Sequence, residues 1–271
     1  MNVLQSLTEL FNSQDTDSVY RILALKILSN LDQMKRVTIY DVAELTSSSR
    51  TTVWRLVQKL GYESFSDFRY ALQSAASQYV YYNRMVEQRK ASSPTALLTE
   101  VESQLSGAVD ILRSGFTEND LEELTDEISD MTRLYFFLPF RSSFVYSFQQ
   151  NLWKDGKLTE YHCLIPDMLN ASDDLDQDSA VLISTIEYAE TMDMTKVFDK
   201  IKNKGAVIWL AGNSESRFSN YADRHLLTGR SPAAAWLLAF ESFLLALSER
   251  YRAKFIDRSV CGGLADSPPE I

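Results

Sequence analysis

Arg50, Thr51, Thr52, Trp54, Arg55 and Lys59 fall within one ten-residue stretch, RTTVWRLVQK, that holds no acidic residue. Guanidinium groups donate to guanine edges or to phosphates. Hydroxyls bond to either, and an apolar ring covers a thymine methyl. That is the chemistry of duplex DNA recognition. Arg50 and Arg55 suit a base edge and a phosphate equally well. Trp54 suits a thymine methyl or a return onto a neighbouring helix. The competing reading of the whole group is a solvated basic helix face.

A second group is split in sequence. Arg141, Ser142 and Ser143 follow one apolar run, and Ser184 and Thr185 close another. A guanidinium and hydroxyls at helix N-termini could hold a small anionic effector. The plainer role for Ser142 or Ser143, and for Thr185, is helix capping. Glu187 and Glu190 come nearest to an acid–base pair, but no nucleophile or phosphate clamp stands beside them, so no catalytic residue is expected. His162, His225, Cys163 and Cys261 lack zinc-ligand spacing, and no metal or cofactor is expected. Two cysteines make no disulfide framework, which points to a reducing cytoplasm.

The elements that must position the first group can be read from periodicity and caps. Ser49 is an N-cap, Val53, Leu56, Val57 and Leu60 form one apolar face, and Gly61 ends the helix. Thr38 caps a short helix from Ile39 to about Leu45, and Ser47 and Ser48 form the turn between the two. Serine there takes a left-handed backbone at a cost of roughly 1 kcal/mol. Upstream, a helix over Leu4–Phe11 precedes one from Asp17 or Ser18 to about Met34, with an apolar stripe of Val19, Ile22, Leu23, Leu25, Ile27, Leu28 and Leu31. Helix, short helix, tight turn and recognition helix is the order of a helix-turn-helix domain. Phe65, Phe68 and Leu72 mark a further helix. Its continuation would take in Tyr79, Tyr81 and Tyr82, which read as helix packing or a dimer contact rather than base stacking.

Beyond Pro94 the pattern changes. A helix over Thr95–Leu112 and another capped by Thr117 precede three apolar runs, Arg133–Phe140, Ala180–Thr185 and Ala206–Gly212. Helical stretches over Ser143–Lys154 and Met192–Lys204 lie between them, which predicts βαβ units and a parallel sheet. A helix over Pro232–Tyr251 and a loose tail close the chain. Charge divides at the same place. Residues 1–90 hold eleven Lys/Arg against nine Asp/Glu, and residues 91–271 hold sixteen against twenty-eight. An acidic bulk opposes indiscriminate binding to phosphate, so a small basic face must point at the DNA. No apolar run is long enough for a membrane span, and no membrane partner is expected.

The stretch TIYDVAELTSSSRTTVWRLVQKLGYESFSDFR resembles the N-terminal domain of the RpiR family of bacterial transcription regulators. Asp41, Ala43, Ser49, Thr52, Val53, Arg55, Lys59, Leu60, Gly61, Tyr62, Phe65 and Phe68 occupy the positions of its pattern. The second half is similar to the sugar isomerase (SIS) domain of those regulators, through RLYFF and through SRFSNYADRHLL, with Ser216, Ala222, Asp223 and Leu226 in place. In the family that domain senses phosphosugars through Gly-rich turns. Here the first turn reads LPFRSS, without glycine, and the second keeps only Ser184.

The expected fold class is therefore α + α/β, an all-α helix-turn-helix domain followed by an α/β SIS-like domain with a parallel sheet flanked by helices. Residues 1–77 form the first, 78–95 a partly helical linker, 96–251 the second and 252–271 a loose tail. The expected function is a cytoplasmic, non-enzymatic transcription regulator binding a pseudo-palindromic operator as a dimer. DNA-contacting residues would be Thr38, Ser49, Arg50, Thr51, Thr52, Trp54, Arg55 and Lys59. The expected partners are double-stranded DNA, a second copy of the chain in a homodimer or tetramer, and a phosphosugar or other small anion held by Arg141, Ser142, Ser143, Ser184 and Thr185. Two alternatives stay open: a phosphosugar isomerase or deaminase with an accessory N-terminal domain, and a regulator whose SIS-like domain is blind to ligands.

Overall fold

The computed structural model describes residues 3–77, 86–87, 89–185, 194–212, 215–228 and 233–257. The N-terminal part consists of helices α1 (Val3–Ser13), α2 (Val19–Ser29), α3 (Ile39–Thr46), α4 (Arg50–Lys59) and α5 (Phe65–Ser77). Their apolar faces meet in one core that includes Leu7, Leu10, Leu23, Ile27, Val42, Val53, Leu56, Val57, Phe68 and Leu72. α2 is shorter than its apolar pattern predicts. Asn30 leaves helical geometry and its Nδ2 donates to the Lys26 carbonyl at 2.7 Å, ending the helix. A 3-10 turn, Leu31–Arg36, follows. The predicted stripe of α2 is also only partly buried. Leu23, Ala24 and Ile27 face the core, whereas Val19, Ile22 and Leu25 are exposed.

The C-terminal part opens with α6 (Pro94–Gly115) and α7 (Glu118–Asp130). Ser93 caps α6 by accepting from the Ala96 N–H, and Pro94 occupies its first turn, where a missing N–H is harmless. Thr117 and Asp120 form a reciprocal capping box on α7. Then follow β1 (Arg133–Phe137), α8 (Ser143–Lys154), β2 (Leu158–His162), α9 (Ile165–Ala171), β3 (Ser179–Thr185), α10 (Thr195–Lys204), β4 (Val207–Gly212), β5 (Arg224–Leu226) and α11 (Ala233–Tyr251).

The five described strands form one wholly parallel sheet in the order β2-β1-β3-β4-β5. The three apolar runs of the sequence are the three inner strands. The two edge strands were not read from the sequence. From β1 the chain steps one way to β2 and then back across to β3. Right-handed crossovers therefore put α8 on one face of the sheet and α9 and α10 on the other. α11 packs against α6, α7 and α8 on the first face. The chain does not loosen at Tyr251, as expected of residues 252–271. A π-helical turn, Arg252–Ile256, continues α11, with Phe255 and Ile256 against the core. Tyr79, Tyr81, Tyr82, Glu187, Glu190 and Cys261 lie outside the described residues.

Candidate nucleic-acid interface

α3 and α4 are set by their caps and by the turn between them. Thr38 accepts from the Asp41 N–H, while Asp41 accepts from the Thr38 N–H at 2.7 Å and from its hydroxyl at 2.8 Å. These bonds hold the Asp41 carboxyl below the usual carboxylate range. Thr38 is thus exposed but already engaged as a cap. Ser47 takes the left-handed backbone, φ 54 and ψ 42, and the Ser48 N–H reaches back to the Ala43 carbonyl at 2.8 Å. Ser49 then caps α4, accepting from the Thr52 N–H at 3.1 Å. Its hydroxyl also lies 2.8 Å from that of Thr52.

With Val53, Leu56 and Val57 fully buried, the remaining side of α4 turns outward. Arg50, Thr51 and Arg55 are exposed, and Thr52, Trp54 and Lys59 half-buried. Trp54 packs partly onto the helical core. Among the described residues no carboxylate pairs with Arg50, Arg55 or Lys59. Tyr40 of α3, which sequence reasoning did not single out, orders Arg50. Arg50 Nη1 donates to the Tyr40 hydroxyl at 2.9 Å, and the guanidinium lies 4.7 Å from the ring centroid. Its signal was an aromatic residue at a solvent-facing position of a short helix.

The second predicted group meets at the carboxyl ends of β1 and β3. These strands are paired, with Phe137 opposite Ile183, and the strand order reverses beside them. Such a switch point is where open α/β sheets form a ligand crevice. Leu138 is fully buried there, and Phe140 stands edge-on to Phe240 at 5.5 Å. Ser142 caps α8 and donates to Glu241 Oε2 at 2.8 Å. Burial nevertheless raises the Glu241 carboxyl above its ordinary range. Ser143 begins α8 and is exposed. The Ser184 hydroxyl is buried and, among the described residues, has no hydrogen-bond partner. Thr185 ends β3, and its side chain is outside the described residues.

Arg141, in the turn after β1, reaches across to Glu9 of α1. Its Nε donates to both Glu9 oxygens, at 3.1 and 3.0 Å, its Nη2 donates to Glu9 Oε1, and its Nη1 donates to the Tyr146 hydroxyl at 2.9 Å. Glu9 and Glu241 were both missed in the sequence. Each is the one charged residue of its segment, Val3–Ser13 and Ala233–Leu247. In the segment that resembles the SIS domain, Asp223 has a structural part. Asp223 Oδ2 accepts from the Ile208 N–H at 2.8 Å, which ties the start of β5 to β4.

Residues 1–79 match the family model described as "Helix-turn-helix domain, rpiR family". This part of the chain is a helix-turn-helix domain of the rpiR type. The rpiR-type domain makes the protein a DNA-binding transcription regulator. No curated protein matches the chain. Among solved structures it is similar to the NanR protein of Vibrio vulnificus complexed with ManNAc-6P, at 16% identity and TM-score 0.45, over 98% of this chain and 100% of that one. It is also similar to the sugar isomerase domain of an RpiR transcription factor from Sphaerobacter thermophilus, at 12% identity and TM-score 0.47, over 62% and 94%. The second domain, a parallel sheet with flanking helices that follows the rpiR-type domain in the chain, has a SIS-like α/β fold.

Proposed function

We propose that two copies of this chain grip a pseudo-palindromic operator, each laying α4 in the major groove, with half-sites one helical turn or a multiple apart. The observation that carries this reading is the exposed, acid-free face of α4, with Arg50 already oriented by Tyr40. Thr38, Ser49 and Thr52 serve chiefly as caps and reach phosphates from the helix start, while Arg50, Thr51, Trp54, Arg55 and Lys59 face the duplex. The test is footprinting on the operator. Arg50→Ala and Arg55→Ala should each weaken protection while leaving the circular dichroism spectrum unchanged; intact footprints in both would sink the assignment.

The copies meet through α6. Leu98, Val101, Leu105 and Val109 are exposed along one side of it, at helical spacing, while Gln104, Ala108 and Ile111 are buried on the other. A contiguous apolar stripe of this kind suits the same stripe of a second copy related by a two-fold axis.

The crevice we read as an effector site for a small anion, a phosphosugar by family resemblance, using Arg141, Ser142, Ser143, Ser184 and Thr185. The buried hydroxyl of Ser184, unpartnered among the described residues, favours it. No catalysis is proposed, because the carboxylates that reach the turn, Glu9 and Glu241, are committed to Arg141 and Ser142. The burial of Leu138 and the Phe140–Phe240 contact favour a second reading, a ligand-blind assembly module. A thermal-shift screen of sugar phosphates separates them, since a silent panel selects the second.

A further inference from the structure

Among the described residues, the DNA-binding domain meets the SIS-like domain at three places, two just past the carboxyl end of a strand and one on the helix that follows β3. Beyond β1, Arg141 holds Glu9 of α1. Beyond β2, Pro166 lies so near Gly61 that an added Cβ would stand 3.2 Å from its Cδ. Beyond β3, Lys196 pairs with Glu63 at 2.6 Å. The DNA-binding domain is therefore seated over the end of the sheet where the crevice opens. Lys196 and Glu63 are both well exposed, and such a pair holds little. Glu9 is different. It is buried, at 8% exposure, and its carboxylate is met by two nitrogens of one guanidinium.

We infer that the Glu9–Arg141 pair is a latch between the two domains, and that an anion entering the crevice opens it by competing with Glu9 for the Arg141 guanidinium. The inference rests on reading the crevice as an anion site. A guanidinium offers its Nε–Nη2 edge to one carboxylate or phosphate at a time. In Arg141 that edge is filled by Glu9, and Nη1 is bonded to Tyr146. Glu9 is thus a built-in occupant of the position an effector needs. Once displaced, its charge cannot stay buried without a partner, so α1 must lift toward water. Gly61 ends the turn after α4, and it sits against Pro166. Lifting the domain therefore shifts the recognition helix, and with it the separation of the two recognition helices in a dimer.

The test uses the full chain without DNA, by small-angle scattering and by calorimetric titration with inorganic phosphate, against sodium chloride at equal ionic strength. Glu9→Gln should show a larger radius of gyration than the unaltered protein and bind phosphate about tenfold tighter. The unaltered protein should expand to that radius on saturation with phosphate. Arg141→Gln should be expanded without phosphate and give no binding heat. The swap Glu9→Arg with Arg141→Glu should restore the compact form, which guards against misfolding in the single variants. Unchanged scattering in Glu9→Gln, or phosphate binding that is absent from Glu9→Gln or survives in Arg141→Gln, would overturn the inference. These readouts need no operator, so failure to bind DNA would count against the proposed function and leave the latch to be decided by scattering.

Discussion

Arg50 lies over the ring of Tyr40 and donates to its hydroxyl, so a residue of α3 holds the first cation of α4 in place before any DNA arrives. A side chain ordered in advance loses less entropy on binding. Tyr40→Ala should therefore weaken operator binding through Arg50, by about 1 kcal/mol, the size of one cation–π contact with its hydrogen bond. Tyr40→Phe keeps the ring and should lose less. Adding Tyr40→Ala to Arg50→Ala should bring little further loss, because Tyr40 acts only through Arg50. Additive losses in a double-mutant cycle would show that Tyr40 contacts DNA on its own account.

If Arg55 contacts a phosphate, it binds any sequence, and the salt dependence of binding reveals it. Arg55→Ala should then lower affinity on specific and unrelated duplexes alike and reduce the slope of log K against log salt by about 1. Loss confined to one base pair of the operator would assign Arg55 to a base edge instead. Fluorescence anisotropy across a salt series makes the distinction.

Ser47 stands with φ 54 in a turn where its neighbours are fixed by two caps. Glycine removes the Cβ strain at that backbone but adds freedom to the unfolded chain. Ser47→Gly should thus stabilise the N-terminal domain by up to about 1 kcal/mol, and Ser47→Val should destabilise it by more than that. Thermal melts of the two variants, followed by circular dichroism, test the pair.

The parts that were legible in the sequence are those whose signal is local. Caps at Thr38, Ser49, Thr117 and Ser142, the face of Val53, Leu56 and Val57, and the inner strands buried on both sides all write their environment into neighbouring residues. β2 and β5 did not, because an edge strand such as LTEYH is part apolar and part exposed. The break at Asn30 hid because its cause is one side-chain bond to Lys26. In the candidate site, Arg141, Ser142 and Ser184 were visible as residue types, but their partners were not. Glu9 is 132 positions from Arg141 and Glu241 is 99 from Ser142, and no pattern in one stretch can report a contact with another.

Leu98 and Leu105 are half or more exposed on α6, at 64% and 50%. If a second copy covers them, a charge at either position must be buried unpaired on assembly. Leu98→Glu and Leu105→Glu should each shift sedimentation from dimer to monomer while leaving the monomer folded, and operator affinity should fall with the loss of the paired half-site. Dimers that persist in both variants would place the interface elsewhere.

Acid should act on the packing of α7 against the end of α11. Glu122 accepts from Arg250 Nη2 at 2.9 Å and from Lys254 Nζ at 3.0 Å, and these bonds lower its carboxyl from an ordinary 4.5 to about 2. A carboxyl lowered in the folded state binds its proton more readily once unfolded, so its contribution is fully present above pH 4.5 and drains away as pH falls toward 2. The melting temperature of the unaltered protein should therefore drop through that window more steeply than that of Glu122→Gln, which has no proton to take up there. At neutral pH Glu122→Gln should be the less stable of the two, and the difference should close as Glu122 takes up its proton. Parallel melting curves across pH 2 to 5 would show that the three-membered cluster of Glu122, Arg250 and Lys254 does not fasten α7 to α11 in solution.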